Sequence, residues 1–326
     1  MSGGNPYLAH LDHQLPIRSR DRRPKNPVFI RKEEINTDRS DKGEKPSYRS
    51  SDGLPVYRYG NYDHYYGYRI QHGLDDRLKL LDRSFFENKR VLDVGCNSGW
   101  LTVAIAMLCH PRMVEGVDID PKLIRKAQSH LAFRASACRL SNSNDASSDF
   151  DFFPTSCSQM FGPLPIIIPD QPESESMGVN RPFPLNVTFR CSDWVNEPSL
   201  STFIDDSLKY DTILALSITK WIHLSWGDGG IRHFFIKCYA QLKPDGKLVL
   251  ESQPFETYGK KPTQMTRQMK KNLAKIWFKP EHFDEYLLGK DVGFKSVVVL
   301  GSPLSRSTAV DSPDGFKSRI LKVFQK

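Results

Sequence analysis

KRVLDVGCNSGW, residues Lys89 to Trp100, decides how the rest of the chain is read. Its first half is a short apolar, partly β-branched run, and its second half sets Gly95 and Gly99 among small residues, so a strand hands over to a helix through a tight turn. Outward from it, GWLTVAIAMLCH predicts an apolar helix ended by Pro111, and MVEGVDID predicts a second strand. PKLIRKAQSHLAF then predicts a helix with Pro121 at its first position, where the missing N–H has no partner to lose. Strand, helix, strand, helix with glycine-bearing turns implies a parallel sheet covered on both faces. LNVTFRCSDW resumes that sheet. YDTILALSI follows as a buried strand, IRHFFIKCYAQL as a helix closed by the turn KPDG, and KLVLESQ as the next strand. A helix over Glu281 to Leu288 and a closing pair of strands, SVVVLGS and RILKVF, complete the pattern.

The 326 residues suffice for one large domain, and 39% hydrophobic content supports a real core. Residues 1–54 are polar, rich in Arg, Asp, Ser and Pro, and without apolar period, which predicts a disordered basic tail ahead of a domain over 55–326. Within the tail, RSRDRRPK (Arg18 to Lys25) reads as a nuclear-import signal, a phosphate-binding arm or a plain solvated run. Ser/Pro/Asp-rich text predicts a long disordered insertion at about 141–184, and a basic insertion follows at about 254–279. The net charge of +8 points to a polyanionic partner. Six scattered cysteines, with no C-x-x-C pair, predict reduced thiols in an intracellular protein and no zinc site. No apolar run reaches signal-peptide or membrane-span length, so a soluble protein is expected.

DVGCNSG, Asp93 to Gly99, sits where backbone must approach a ligand closely. Asp118, 25 residues after Asp93, ends the second strand, placed to accept hydrogen bonds from ribose hydroxyls. Together these predict a nucleoside cofactor. The form D-x-G-x-N-x-G, with Cys96 and Asn97 between the glycines, resembles the first motif of S-adenosylmethionine-dependent methyltransferases more than a nicotinamide site. The expected fold is therefore the Rossmann-like class I methyltransferase fold, a mostly parallel seven-stranded sheet with an antiparallel closing strand.

YDTILALSITKWIHLSWGD carries a buried strand straight into Lys220, Trp221, His223, Trp226 and Asp228, at the carboxyl edge where ligands of such sheets bind. Ser217-Ile218-Thr219-Lys220 stands where amino-group methyltransferases place an Asn-Pro-Pro-Tyr-like tetrapeptide, which favours another acceptor. A lysine and a histidine beside a sulfonium cofactor suit an anionic acceptor. Taken alone, His223 reads as a packing histidine, and Trp221 and Trp226 as core. A phosphate oxygen is already ionised at neutral pH, so catalysis needs positioning and no general base.

NYDHYYGYR (Asn61 to Arg69), DDRLKLL, DVGCNSG, GVDID, LSITKWIHLSWGD and ESQPFETYGKK, in this order, resemble the RNA methylphosphate capping enzymes, also called the bicoid-interacting family. The resemblance covers about 60–294. It implies methyl transfer from S-adenosylmethionine to the 5′ γ-phosphate of a small nuclear RNA, with a 5′-monophosphate RNA methyltransferase and a non-catalytic RNA-end-binding subunit as alternatives. Carried over by position, Tyr66, Arg77, Gly95, Asn97, Asp118 and Ile119 contact the cofactor, as do Asp93, Cys96 and Gly99 of the same turn and Leu216. Asp193 and Trp194 stand where the family carries Gly-Asn-Tyr, and Asp193 meets adenine with a carboxylate in place of an amide. Tyr65 stacks on the first RNA base, and Arg69 points to phosphate. Tyr62 and Tyr68 read as buried.

Lys220, His223 and Arg69 are thus the expected catalytic set, and Tyr65, Tyr258, Lys260 and Lys261 the expected RNA contacts. The resemblance further implies a nuclear location and a protein partner that binds the RNA 3′ end, with no membrane and no metal. GFKSRILKVF keeps Gly315 and Phe316 of the family's terminal segment but lacks its proline.

Overall fold

The computed structural model describes residues 59–60, 65, 75–137, 160, 162–163, 181–197, 209–301 and 319–326. The predicted tail, most of the 141–184 insertion, Tyr62, Tyr66, Tyr68, Arg69, Gly315 and Phe316 lie outside these residues. Seven strands form one sheet: β1 (Arg90–Val94), β2 (Met113–Asp118), β3 (Val187–Cys191), β4 (Tyr210–Leu216), β5 (Leu242–Glu251), β6 (Ser296–Gly301) and β7 (Leu321–Gln325). Their spatial order is β3-β2-β1-β4-β5-β7-β6. The first five are mutually parallel, while β7 runs antiparallel to both neighbours. The order reverses between β1 and β4, which leaves a crevice above their carboxyl ends.

The central strands β1, β2, β4 and β5 are largely buried on both faces, while edge strand β6 exposes Val298 and Val299, and the period of two sorts side chains into two cores. Leu92, Val94, Ile213, Ala215, Leu248 and Leu250 face one way. Val91, Leu214, Leu216 and Val249 face the other, against Leu101, Ile105 and Ala106 of helix α1 (Trp100–Leu108). Helix α2 (Pro121–Ala137) begins where Asp120 Oδ1 accepts from Lys122 N at 2.8 Å, an N-cap that holds the exit from β2.

Helix α3 (Thr219–Gln241) carries Ile231, Phe234, Phe235 and Cys238 into the first core at helical spacing. It is interrupted at Gly227, whose φ of 66° and ψ of −165° separate it into two helical pieces. The sequence reading placed a helix only over the second piece; TKWIHLSW forms the first. KPDG was expected to be a plain turn after that helix. Instead it bulges from β5 after Leu242 pairs with Tyr210, with Asp245 at φ 61°, and pairing resumes at Lys247 with Thr212.

The expected basic insertion is folded where it follows β5. Helix α4 (Arg267–Leu273) buries Met269 with Met265, Tyr258 and Leu224 in a third small core. Helix α5 (Phe283–Leu288) follows, close to its expected span.

Candidate active site

The crevice is a cleft of about 900 Å³, partly open to solvent. Asp93, Gly95, Asn97, Asp118, Ile119, Asp193, Trp194 and Leu216 all line it, as do Tyr65 and Arg77. The turn after β1 is shaped from its main chain. Gly95 and Cys96 both donate to Val117 O, at 2.7 and 3.1 Å, which locks the turn to the end of β2. Gly95 has φ 75°, and a Cβ there would meet Ile218 Cγ2 at 2.3 Å, so only glycine fits. Asn97 also has positive φ, 55°, and turns its N–H onto Asp118 Oδ2 at 2.9 Å.

Asp118 ties the turn and the second strand together. Its other oxygen accepts from Asp120 N at 2.9 Å. Burial pushes its carboxyl up to about 6, against the pull of these two N–H donors. Each carboxylate oxygen retains acceptor capacity for a vicinal diol, and the side chain lies on the cleft wall. Asp93 is likewise pushed up to about 6 by burial, and Thr102 Oγ1 donates to it at 2.6 Å.

Among the described residues of the expected cofactor set, Cys96 and Gly99 are not on the cleft wall. The Cys96 thiol is buried and raised well above the usual thiol range by burial, with Asp118 and Asp93 adding to the rise. Gly99 serves packing: a Cβ there would meet the Phe189 ring at 2.6 Å and Ala127 Cβ at 2.8 Å. It lets α1 approach the sheet and α2 closely.

Arg77 is 1% exposed yet reaches the cleft. Its guanidinium donates to both Asp75 oxygens and, from Nη1, to Glu251 Oε2 at 3.3 Å. Burial works against its charge, but Asp75, Tyr65 and Glu251 outweigh it and hold the group well above its ordinary value. Glu251 Oε2 also accepts from Ser217 Oγ at 2.5 Å, and Ser217 Oγ accepts from Arg319 Nη1 at 2.8 Å. A buried polar chain therefore runs from Asp75 to Arg319 under the crevice.

Beyond β4, Ser217 takes φ 61° and the chain enters α3. Gln253 holds this entry: its Oε1 accepts from Thr219 Oγ1 at 3.1 Å and Lys220 N at 3.3 Å, and its Nε2 donates to Ser217 O. Ile218, Trp221, Ile222, Ser225 and Trp226 then line the cleft at helical spacing. Trp221 and Trp226, expected in the core, are cleft walls. The i, i+3, i+4 spacing of these positions was the available signal. Gly60 presses on the Trp221 indole so closely that a Cβ would lie 2.1 Å from Nε1, and Tyr59, Gly60 and Tyr65 line the cleft.

Lys220 lies beside the cleft wall. Its Nζ donates to Thr257 O at 2.7 Å and sits 5.0 Å from the Trp221 ring centre. Burial, with repulsion from Arg319, Lys261 and Lys260 adding to it, lowers its ammonium to about 8. His223 and Tyr258 are placed differently from expectation. His223 is fully buried, with Nε2 at 2.7 Å from Asp228 Oδ1 and Nδ1 at 3.4 Å from Tyr258 OH. Tyr258 is 1% exposed in the third core. His223, on the first piece of α3, packs edge-on against the Tyr258 ring at 5.7 Å, and neither ring lines the cleft. Lys260 and Lys261 are exposed.

The cleft suits a sulfonium nucleoside. It offers a main-chain turn, a buried carboxylate for a ribose, an apolar wall of Val117, Ile119 and Val195 for a base, and the Arg77 cation for an amino-acid carboxylate. Fold and cleft are those of a class I S-adenosylmethionine-dependent methyltransferase. The family model described as Bicoid-interacting protein 3 (Bin3) matches residues 210–326, and that of ribosomal protein L11 methyltransferase (PrmA) matches 76–149.

Among relatives, the "7SK snRNA methylphosphate capping enzyme" of Homo sapiens is 36% identical over 79% of this chain and 38% of its own length. The "Probable RNA methyltransferase At5g51130" of Arabidopsis thaliana is 36% identical, over 83% of this chain and 81% of that one. The "U6 snRNA methylphosphate capping enzyme Amus" of Drosophila melanogaster is 34% identical, over 76% and 70%. The "RNA 5'-monophosphate methyltransferase" of Bos taurus is 26% identical over 79% and 75%. The chain belongs to the bicoid-interacting protein 3 family. It spans about two fifths of the length of the human and mouse relatives.

Proposed function

We propose that this chain transfers the methyl group of S-adenosylmethionine to the γ-phosphate at the 5′ end of a small nuclear RNA. The observation that carries the reading is the gathering of Lys220, Arg319, Lys260 and Lys261 beside the cleft, close enough for the other three to depress the Lys220 ammonium. Such a cluster fits a polyphosphate better than a neutral acceptor. The higher identity to the methylphosphate capping relatives than to the monophosphate enzyme supports the γ-phosphate.

The cofactor supplies an electrophilic methyl on a sulfonium. The residues of this chain do the rest by position. Asp118 and the Gly95–Asn97 turn hold the nucleoside, and Trp221, Trp226 and Ile222 exclude water from the reacting end. Lys220 donates one N–H to Thr257 O and has two left to aim a phosphate oxygen. That oxygen is ionised at neutral pH, so no base is required. His223, bonded to Asp228 across the Gly227 break, ties the two pieces of α3 together and takes no part in proton transfer. By the family resemblance Tyr66 contacts the cofactor and Arg69 the phosphate, Tyr65 stacks on the first base, and a nuclear location follows from the substrate class. A partner at the RNA 3′ end belongs to the same assembly.

The test is transfer of labelled methyl to RNA hairpins bearing 5′-triphosphate, 5′-monophosphate or 5′-hydroxyl. Label on the triphosphate hairpin alone, released with its terminal phosphate, is expected. Label restricted to the monophosphate hairpin would contradict the γ-phosphate assignment.

A further inference from the structure

We infer that the outer face of α4 and the exposed Trp277 form a second RNA-binding surface, which holds a single-stranded stretch of the RNA whose 5′ end enters the cleft. From Thr257 to Pro280 the chain carries seven basic residues, Lys260, Lys261, Arg267, Lys270, Lys271, Lys275 and Lys279, and no acidic one. The nearest acidic residues along the chain, Glu256 and Glu281, flank the segment. Helix α4 turns Met269 inward, so Arg267, Lys270 and Lys271 fall on its exposed side, and Lys275 continues that side past the last turn. A stripe of like charge at helical spacing destabilises the free protein slightly, and a polyanion relieves it.

Trp277 stands at the end of this stripe and is 64% exposed. The Arg232 guanidinium carbon lies 4.7 Å from its ring centre, and the Trp277 backbone N–H donates to Asp228 Oδ2 at 3.2 Å, which fixes the chain that carries the ring. A large, fixed, exposed ring among cations is the arrangement that stacks an unpaired base while lysines follow the backbone. A paired duplex buries its base faces, so a single strand is the form that uses both features. The surface is continuous with the cleft rim, since Asn272 Nδ2 donates to Leu224 O at 2.9 Å and to Ser225 O at 3.0 Å, and Ser225 lines the cleft.

This rests on the RNA-capping reading, so binding and methyl transfer are measured separately. The probes are a 5′-triphosphorylated RNA hairpin with a single-stranded flank and a 5′-triphosphorylated dinucleotide. Replacing Lys270, Lys271 and Lys275 together by Gln is expected to lower hairpin affinity roughly tenfold and to make the log affinity against log salt slope shallower by about 2. Trp277→Ala is expected to lower it by about tenfold with the slope unchanged. Methyl transfer to the dinucleotide stays at the wild-type rate in both variants. Wild-type hairpin affinity and salt slope in both variants would overturn the proposal. If the unaltered protein methylates no RNA while its hairpin affinity still responds to these changes, the capping reading fails and the second surface stands.

Discussion

On the cofactor side of the cleft, between β1 and β3, the ligand surface is mostly main chain. Gly95, Cys96 and Asn97 are held by Val117 O and by one carboxylate, Asp118. On the side proposed for the acceptor, beyond β4 and β5, the basic side chains of Lys220, Lys260, Lys261 and Arg319 come together from three separate stretches of the sequence. Main-chain sites need small residues at fixed offsets and so leave a short motif. Side-chain sites are assembled by the fold, and each contributing residue has ordinary neighbours in the sequence. Arg77 bridges the two sides, since it lines the cleft while pairing with Asp75 and with Glu251 at the end of β5.

That bridge is where the largest effect is expected. Arg77→Ala leaves Asp75 and Glu251 buried without their shared cation, which destabilises the fold by about 3–5 kcal/mol. Urea unfolding of the variant checks this; a midpoint at the wild-type value would show that the two sides are not joined through Arg77. Next in size is Asp118→Ala, which removes the acceptor of both Asn97 N–H and the ribose. Cofactor affinity should fall by on the order of 10²-fold or more, read by titration calorimetry, with the acceptor-side cluster unaffected.

A smaller effect separates the sides by pH. Lys220 is charged below about 8 and neutral above it, and a bound phosphate raises that value. RNA affinity should therefore fall as pH rises through 8 and beyond, where a terminal phosphate with second pKa of about 6 no longer changes charge. Lys220→Arg, which stays cationic, should flatten this fall, while cofactor affinity stays level in both proteins. The smallest effect on turnover is expected at His223. His223→Gln should lower stability by about 1–3 kcal/mol, because Asp228 and Tyr258 lose a packed partner, yet leave methyl transfer per folded molecule within about twofold. A much larger loss of transfer would return His223 to the reacting centre.

The same contrast explains what was legible in the sequence. The strand–turn–helix around Asp93 to Gly99, Pro121 at a helix start and the alternation of strands are local patterns, and they led to the observed sheet. SVVVLGS and RILKVF were legible as a closing pair of strands, and the antiparallel direction came with the methyltransferase fold that the turn motif implied. His223 and Tyr258 were misplaced because a polar ring next to a site motif looks the same whether it faces the ligand or the floor; burial on Asp228 and Met269 decides that, and both partners come from the folded chain. Ser217, Glu251, Gln253 and Arg319 were missed for a related reason. Their bonds run between residues 33 to 174 positions apart, a separation that no local motif reports. Trp221 and Trp226 had a readable signal in their spacing, obscured because the helix breaks one residue later at Gly227.

The most direct test of two differently built sides serving one reaction is Lys220→Ala, with cofactor affinity and methyl transfer to a 5′-triphosphorylated hairpin measured on the same preparation. Unchanged cofactor affinity with transfer lowered tenfold or more is the predicted result, since about 1.5–3 kcal/mol of charge-assisted bonding to phosphate is removed. Wild-type transfer, or a parallel loss of cofactor affinity, would contradict it.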